Sequence, residues 1–142
     1  MTWFFYAILA AISASFVTIF SKLGINNLSP SLAATVKAII MAVFLIGVSV
    51  VRGDFVNLTT EIINYKKDFL FLVLTGVCGA LSWLFMNIAL KYGKVTQVAP
   101  IDKLSVVITV IVSILIFKES ISIKGMFGVI LIAVGSILVA LY

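Results

Sequence analysis

The sequence predicts an all-α fold, a single bundle of five transmembrane helices, from three observations. First, 63% of the 142 residues are apolar and only 11% are charged, whereas soluble domains are roughly half apolar and a quarter charged. Second, so short a chain could not bury this much apolar surface in a water-soluble core. Third, the apolar residues form five continuous runs of about the 20 residues that a spanning helix needs, not the alternating pattern of barrel strands.

Short polar connections separate the five predicted spans. The first span lacks a basic leader and a distinct cleavage site, so we expect a true span and not a signal peptide. The second contains one charge, Lys37, and the third contains none. The fourth reaches spanning length only if Asp102 and Lys103 lie inside it, because the uncharged run after them has fourteen residues. The predicted spans cover residues 3–21, 32–51, 69–90, 98–117 and 125–141 of one domain, residues 1–142.

Residues typical of helix ends border these spans. Ser29 and Pro30 are predicted to be the N-cap and the first residue of the second helix. Thr96 is predicted to cap the fourth helix, with Pro100 in its first turn, and Gly93 to end the third. Two serines precede the fifth helix and either can cap it. The longest connection, residues 52–68, is either a short amphipathic interfacial turn or a plain polar connector.

Basic residues are almost evenly divided between the two sides of the membrane. Five spans place the termini on opposite sides, with five lysines or arginines in connections on the N-terminal side and three on the other. Lys37 and Lys103 raise the second number to five if they extend to the headgroups. The charge bias therefore either weakly places the N-terminus in the cytoplasm or leaves the orientation undecided. Such a balance also fits a chain that inserts both ways.

Three charged residues fall at similar depth inside the predicted spans. At 1.5 Å per residue, Lys37, Asp102 and Lys103 each lie about 6–8 Å inside the same membrane face. Asp102 can pair with Lys37, whereas Lys103 points about 100° away from Asp102 on an ideal helix. Charges within spans often mark functional sites, but lysines near helix ends also anchor in headgroups. Two interpretations stay open: a net-positive site for an anionic or zwitterionic solute, or an interfacial anchor.

Trp83 and Asn87 are four residues apart on the third predicted helix and share a face. They either line a solute path or make an ordinary contact between helices. The sequence has no His and one Cys, Cys78, and it shows no nucleophile–base pair, metal-ligand set or phosphate loop. We therefore expect no enzymatic activity, metal or cofactor. The basic residues are scattered between apolar segments, which argues against nucleic acid, and a net charge of +5 suits anionic lipid.

The segment ALKYGKVTQVAPIDKLSVVITVIVSILIFKESISIKGMFGVILIAVGSILV resembles the second part of an EamA-type domain of the drug/metabolite transporter superfamily. The features shared are "ALKYG" at one helix end, "VAPI" at the next helix start, a β-branched run, Glu119 followed by serines, and a Gly-rich last helix. The resemblance covers essentially the whole chain and is strongest over residues 89–135. Most relatives carry two such domains, ten helices in all, arranged as inverted repeats around a cavity. This chain resembles the small five-helix bacterial and archaeal branch, in which a dimer replaces the fused pair.

The resemblance implies a transporter of small metabolites that works by alternating access in a prokaryotic plasma (inner) membrane. The expected partners are a small solute, the lipid bilayer and a second copy of the chain. The copies must be antiparallel to mimic inverted repeats, and a parallel pair stays open. We predict that Lys37, Asp102 and Lys103 form the polar pocket or gate and that Trp83 and Asn87 line it. The alternative is a structural or accessory subunit of a heteromeric transporter or flippase. The first helix lacks the carboxylate that four-helix multidrug exporters use, which argues against their cation–proton exchange.

Overall fold

The protein, seen in a computed structural model, consists of helices joined by short connections. The structure describes residues 2–142, the side chains of Asn57 and Thr59 excepted. Five helical segments are long and apolar enough to cross a membrane, and the described residues contain no strand, which confirms the predicted all-helical class with five spans. The helices are α1 (Thr2–Gly24), α2 (Pro30–Arg52), a 3₁₀ helix (Asp54–Asn57), α3 (Leu58–Asn64), α4 (Lys66–Tyr92), α5 (Val95–Asp102), α6 (Leu104–Phe117) and α7 (Ile123–Leu141).

The described chain forms two compact units. One unit contains α1 up to Leu23 together with Ala89–Tyr142, and the other contains Gly24–Ile88. In the first unit, α5 and α6 both pack against α7. In the second unit, the 3₁₀ helix packs against α2 and against α3. Lys37, Trp83 and Asn87 therefore belong to one unit, and Asp102 and Lys103 to the other.

The surface of the described chain is mostly apolar. The side chains that are almost fully buried are two apolar ones, Ile25 at 2% exposure and Leu90 at 0%, and two polar ones, Asn87 at 1% and Ser136 at 7%. In water this distribution would be strongly unfavourable, but lipid tails solvate apolar side chains, and polar groups then prefer the contacts between helices. The apolar spans and their exposed side chains together define a multi-pass membrane protein.

The ends of α2 follow the sequence closely. Ser29 is the N-cap, its hydroxyl oxygen accepts a hydrogen bond from the Leu32 N–H at 3.2 Å, and Pro30 opens the helix, as predicted. The helix ends at Gly53, which has a left-handed backbone with φ of 76°. A side chain is strained in that conformation, so glycine is the residue suited to this position.

The fourth span differs from the prediction. Its helix starts at Val95 with Lys94 as the N-cap, so the prediction that Thr96 caps it is wrong. Pro100 consequently stands beyond the first turn, where its missing N–H leaves the Thr96 carbonyl without its usual helical partner. The Lys103 N–H bonds to the Pro100 carbonyl at 3.0 Å, one residue short of the α-helical spacing. The span is therefore two helices, α5 and α6, which meet at Lys103.

The connection between the second and third spans is mostly helical. The 3₁₀ helix and α3 occupy much of residues 52–68, and α4 already begins at Lys66 rather than at residue 69. Because hydropathy marks where the apolar run begins and not where the helix begins, the sequence-based limits are short at both ends of α4. The serine that caps α7 is Ser122, whose hydroxyl oxygen accepts the Gly125 N–H at 3.1 Å.

Candidate functional site

Lys37 and Trp83, two of the predicted site residues, contact each other. Lys37 lies seven residues after the start of α2, and its ammonium nitrogen is 5.0 Å from the centre of the Trp83 ring on α4. Both side chains are half-buried. The electron-rich face of an indole attracts a cation with a free energy of about 0.5–2 kcal/mol, the larger value applying where water is excluded. Trp83 therefore helps to hold a positive charge within a membrane span.

Asn87 lies one turn beyond Trp83 on α4 and is almost completely buried. Its amide nitrogen donates a hydrogen bond to the Pro30 carbonyl oxygen of α2 at 3.3 Å. Its side-chain oxygen, Oδ1, has no hydrogen-bond partner among the described residues. The Pro30 carbonyl oxygen can only accept a hydrogen bond, so the Asn87 nitrogen must face it; the flipped amide would place two acceptors together. The Asn87 atom without a partner is therefore the acceptor Oδ1. A buried acceptor without a partner costs about 1–3 kcal/mol.

Asp102 and Lys103, the other predicted site residues, contact each other in the second unit. The Lys103 ammonium nitrogen lies 3.3 Å from an Asp102 carboxylate oxygen, and the two side chains are 56% and 39% exposed. On an ideal helix these neighbours would point apart, but the interruption at Lys103 lets them meet. An ion pair this exposed contributes little to stability. The pairing of Asp102 with Lys37 stays a prediction.

Lys22 makes polar contacts that the sequence does not predict, because its position indicates only a charge in a connection. Lys22 ends α1, and its ammonium group donates hydrogen bonds to the carbonyl oxygens of Leu90 and of Gly93, the latter at 2.8 Å. The last carbonyls of a helix have no helical donor, and they carry the negative end of the helix dipole. Lys22 therefore caps the C-terminus of α4. One feature of the sequence is consistent with this contact: the first and third predicted spans end at the same membrane face.

Space is tight around Gly93 at this corner. A Cβ atom there would lie 2.9 Å from a methyl carbon of Val98 and 3.1 Å from the Ala89 carbonyl oxygen. The Gly93 N–H also bonds to that Ala89 oxygen at 2.7 Å. The predicted role of Gly93 as the stop of the third span is confirmed, since α4 ends at Tyr92. The nearness of the Val98 methyl group and the Ala89 carbonyl explains why glycine suits this position.

Several other hydroxyl groups in the spans bond within their own helix. Ser13, Ser15 and Thr18 on α1 donate to carbonyls one turn earlier, and so do Thr35 on α2 and Thr75 on α4. Such bonds satisfy the hydroxyl without a second helix. The described residues contain no group of three or more His, Cys, Asp or Glu side chains that could hold a metal ion. The polar contacts of Lys37, Trp83 and Asn87 are therefore the arrangement that stands out within the spans.

These features define a multi-pass membrane protein with polar contacts inside its spans. Residues 1–141 match the model of the EamA-like transporter family. The chain belongs to the EamA-like transporter family, as its resemblance to an EamA-type domain predicted.

Two relatives extend this comparison. The chain is 30% identical over 141 residues to "Uncharacterized transporter in cobO 3'region" from Sinorhizobium sp, covering 99% of this chain and 98% of that protein. It is 32% identical over 80 residues to "Uncharacterized protein MJ1333.1" from Methanocaldococcus jannaschii, covering 56% of this chain and 58% of that protein. No solved structure matches the chain. The family and the first relative together identify the chain as a membrane transporter.

Proposed function

We propose that the chain carries a small polar solute across a prokaryotic plasma membrane by alternating access, and that two antiparallel copies form the complete carrier. The observation that carries this proposal is the polar group on α2 and α4: Lys37 over the Trp83 ring, with the buried Asn87 one turn away. Charged and amide side chains inside spans are unfavourable in lipid, so a chain that keeps them has a use for them.

The chemistry of this group favours an anionic or zwitterionic solute. The Lys37 ammonium supplies a positive charge, and a half-buried charge attracts a solute anion more strongly than one in water. Asn87 adds an amide that can bond to a polar solute group, and Trp83 adds a flat apolar wall. Asp102 and Lys103 offset each other's charge, so the five predicted residues together remain net positive. We propose these five residues as the lining of the solute path.

The proposal of two copies rests on the family architecture and on charge. A carrier with inverted repeats needs two halves of opposite orientation, and this chain has five spans. The Sinorhizobium relative has a similar length, since the alignment covers 98% of it. The connections carry five basic residues on one face and three on the other, a small bias that does not strongly prefer either orientation. Two copies of one chain, inserted in opposite directions, would then supply both halves.

Release of labelled solutes from liposomes tests this proposal. Liposomes that contain only this chain are loaded with a ¹³C-labelled water-soluble cell extract, and mass spectrometry follows which compounds leave. The variants are Lys37→Met, which removes the charge at similar length, and Asn87→Leu, which removes the amide. The matched control is Thr75→Val on α4, whose hydroxyl bonds only to its own helix at the Phe71 carbonyl, 2.9 Å away. We expect the wild type and the control to release at least one polar compound.

The two site variants are expected to release that compound at least about tenfold more slowly, because a lost hydrogen bond to a charged group is worth about 1.5–3 kcal/mol. Asn87→Leu removes the hydrogen bond to the Pro30 carbonyl but also removes the buried, unpartnered Oδ1. These two effects on stability have opposite signs and similar size, so the variant should unfold at nearly the same temperature as the wild type. Release no faster than from protein-free liposomes would contradict the proposal, as would unchanged release by both site variants. Release that requires a second, different subunit would favour the accessory role.

A further inference from the structure

A groove of about 520 Å³ lies in the unit that contains α5 and α7. Its walls come from the start of α5 and the end of α7, two helices that pack against each other. Its volume falls within the roughly 300–1,000 Å³ of typical small-molecule sites. The groove is lined by Lys94, Thr96, Gln97, Leu138, Val139 and Tyr142. None of these residues belongs to the proposed solute path.

The lining is divided into a polar wall and an apolar wall. Lys94, Thr96 and Gln97 supply an ammonium, a hydroxyl and an amide group at the start of α5. Leu138 and Val139, which are 65% and 53% exposed, supply aliphatic surface on the last turn of α7. A free inorganic anion would satisfy only the polar wall. An amphiphile, with a polar head on one wall and a hydrocarbon chain on the other, satisfies both.

The polar wall of the groove carries the positive charge of Lys94. Lys94 makes no ion pair among the described residues, and no acidic residue lines the groove. The Gln97 side-chain oxygen accepts the Lys94 N–H at 3.4 Å, which leaves the Gln97 NH₂ group available to a ligand. Each of the three polar side chains can therefore offer at least one hydrogen-bond donor to an anion.

The position of the groove relative to the bilayer agrees with its chemistry. It lies where one predicted span starts and another ends, which is the depth of lipid headgroups. Tyrosine is enriched at this depth, and Tyr142 lies at the groove. Basic pockets between helices at the membrane face suit anionic headgroups. We propose that this groove binds one anionic phospholipid, with the phosphate on Lys94, Thr96 and Gln97 and an acyl chain along Leu138 and Val139.

Native mass spectrometry of the purified chain tests the site by its lipid preference. The probes are phosphatidylglycerol and phosphatidylcholine with the same acyl chains. We expect phosphatidylglycerol to bind about fivefold more tightly, since one lysine near an anionic headgroup contributes about 1 kcal/mol. Lys94→Gln should remove this preference. The matched control is Lys124→Gln on α7, an exposed lysine that does not line the groove, which should keep it.

Several results would overturn this assignment. Equal binding of the two lipids would do so, as would equal loss of preference in Lys94→Gln and Lys124→Gln, which would indicate general surface charge. Displacement of phosphatidylglycerol by excess inorganic phosphate would instead make the groove a site for free anions. A Val139→Cys variant in a Cys78→Ser background that forms a disulfide-linked dimer equally well with and without phosphatidylglycerol would show that a second copy covers the groove. The outcome is independent of solute transport.

Discussion

At the scale of single residues, the polar side chains that hold the fold differ in their contacts from those that we propose to line a solute path. Lys22 has two acceptors and caps α4, and the hydroxyls of Ser13, Ser15 and Thr18 on α1 bond within their helix. Asn87 bonds to Pro30 through its amide nitrogen but keeps a buried side-chain oxygen that has no partner among the described residues. A buried polar atom that lowers stability and is nevertheless kept is typical of a functional site.

The contact of Lys22 leads to a stability prediction. Lys22→Met removes the donor for the Leu90 and Gly93 carbonyls. A hydrogen bond to a charged group contributes about 1.5–3 kcal/mol to stability. We expect the variant to be less stable by about 2 kcal/mol, measured by thermal unfolding in detergent with circular dichroism. Lys22→Arg, which keeps the charge, should lose less than Lys22→Met.

The control for this prediction is Lys124→Met, which removes an exposed lysine from the first turn of α7. Its melting temperature should stay at or above that of the wild type, because a cation is unfavourable at a helix N-terminus. If Lys22→Met and Lys124→Met melt at the same temperature, Lys22 does not cap α4.

At the scale of elements, local chemistry explains some helix ends and tertiary contacts explain others. Ser29 with Pro30 and Ser122 are capping signals in the sequence, and both are used. The start of α5 was missed because Lys94, a residue with no acceptor to offer, is the N-cap there. The cap of α4 was missed because Lys22 and the carbonyl of Leu90 are 68 residues apart in the sequence. Contacts that distant in sequence leave no local pattern.

Lys118 at the end of α6 is an unusual helix terminus. Its backbone is left-handed, with φ of 53° and ψ of 32°. Among the described residues, Lys118 is the one residue other than glycine that has a positive φ. That conformation costs about 1–2 kcal/mol for a residue with a side chain, whereas glycine adopts it freely. We therefore expect Lys118→Gly to raise the stability by roughly 0.5–1 kcal/mol, measured by the same thermal unfolding.

Lys118→Ala is the matched comparison, because it removes the same charge and keeps the strained backbone. The glycine variant should be more stable than the alanine variant. If alanine equals or exceeds glycine at this position, the left-handed end of α6 is not strained.

At the scale of the whole molecule, the lengths of the apolar runs predicted five membrane spans, and five helices long and apolar enough to cross a membrane confirm them. Hydropathy succeeds here because apolar runs in lipid need no tertiary partner to be recognised. The candidate site was predicted less completely. Trp83 and Asn87 follow from a shared helix face, but the partner of each lies on α2, and no local pattern indicates which lysine or carbonyl that is.

The central proposal is that one five-span chain supplies both halves of a carrier. The orientation of the chain in cell membranes tests this proposal most directly. In a Cys78→Ser background, single cysteines are introduced as Thr2→Cys and as Tyr142→Cys, and a membrane-impermeant maleimide is applied to right-side-out and to inside-out vesicles. We predict that each cysteine is labelled in both preparations, in comparable fractions, because the two copies of the proposed carrier point in opposite directions. Labelling of each terminus from one side only would contradict an antiparallel pair.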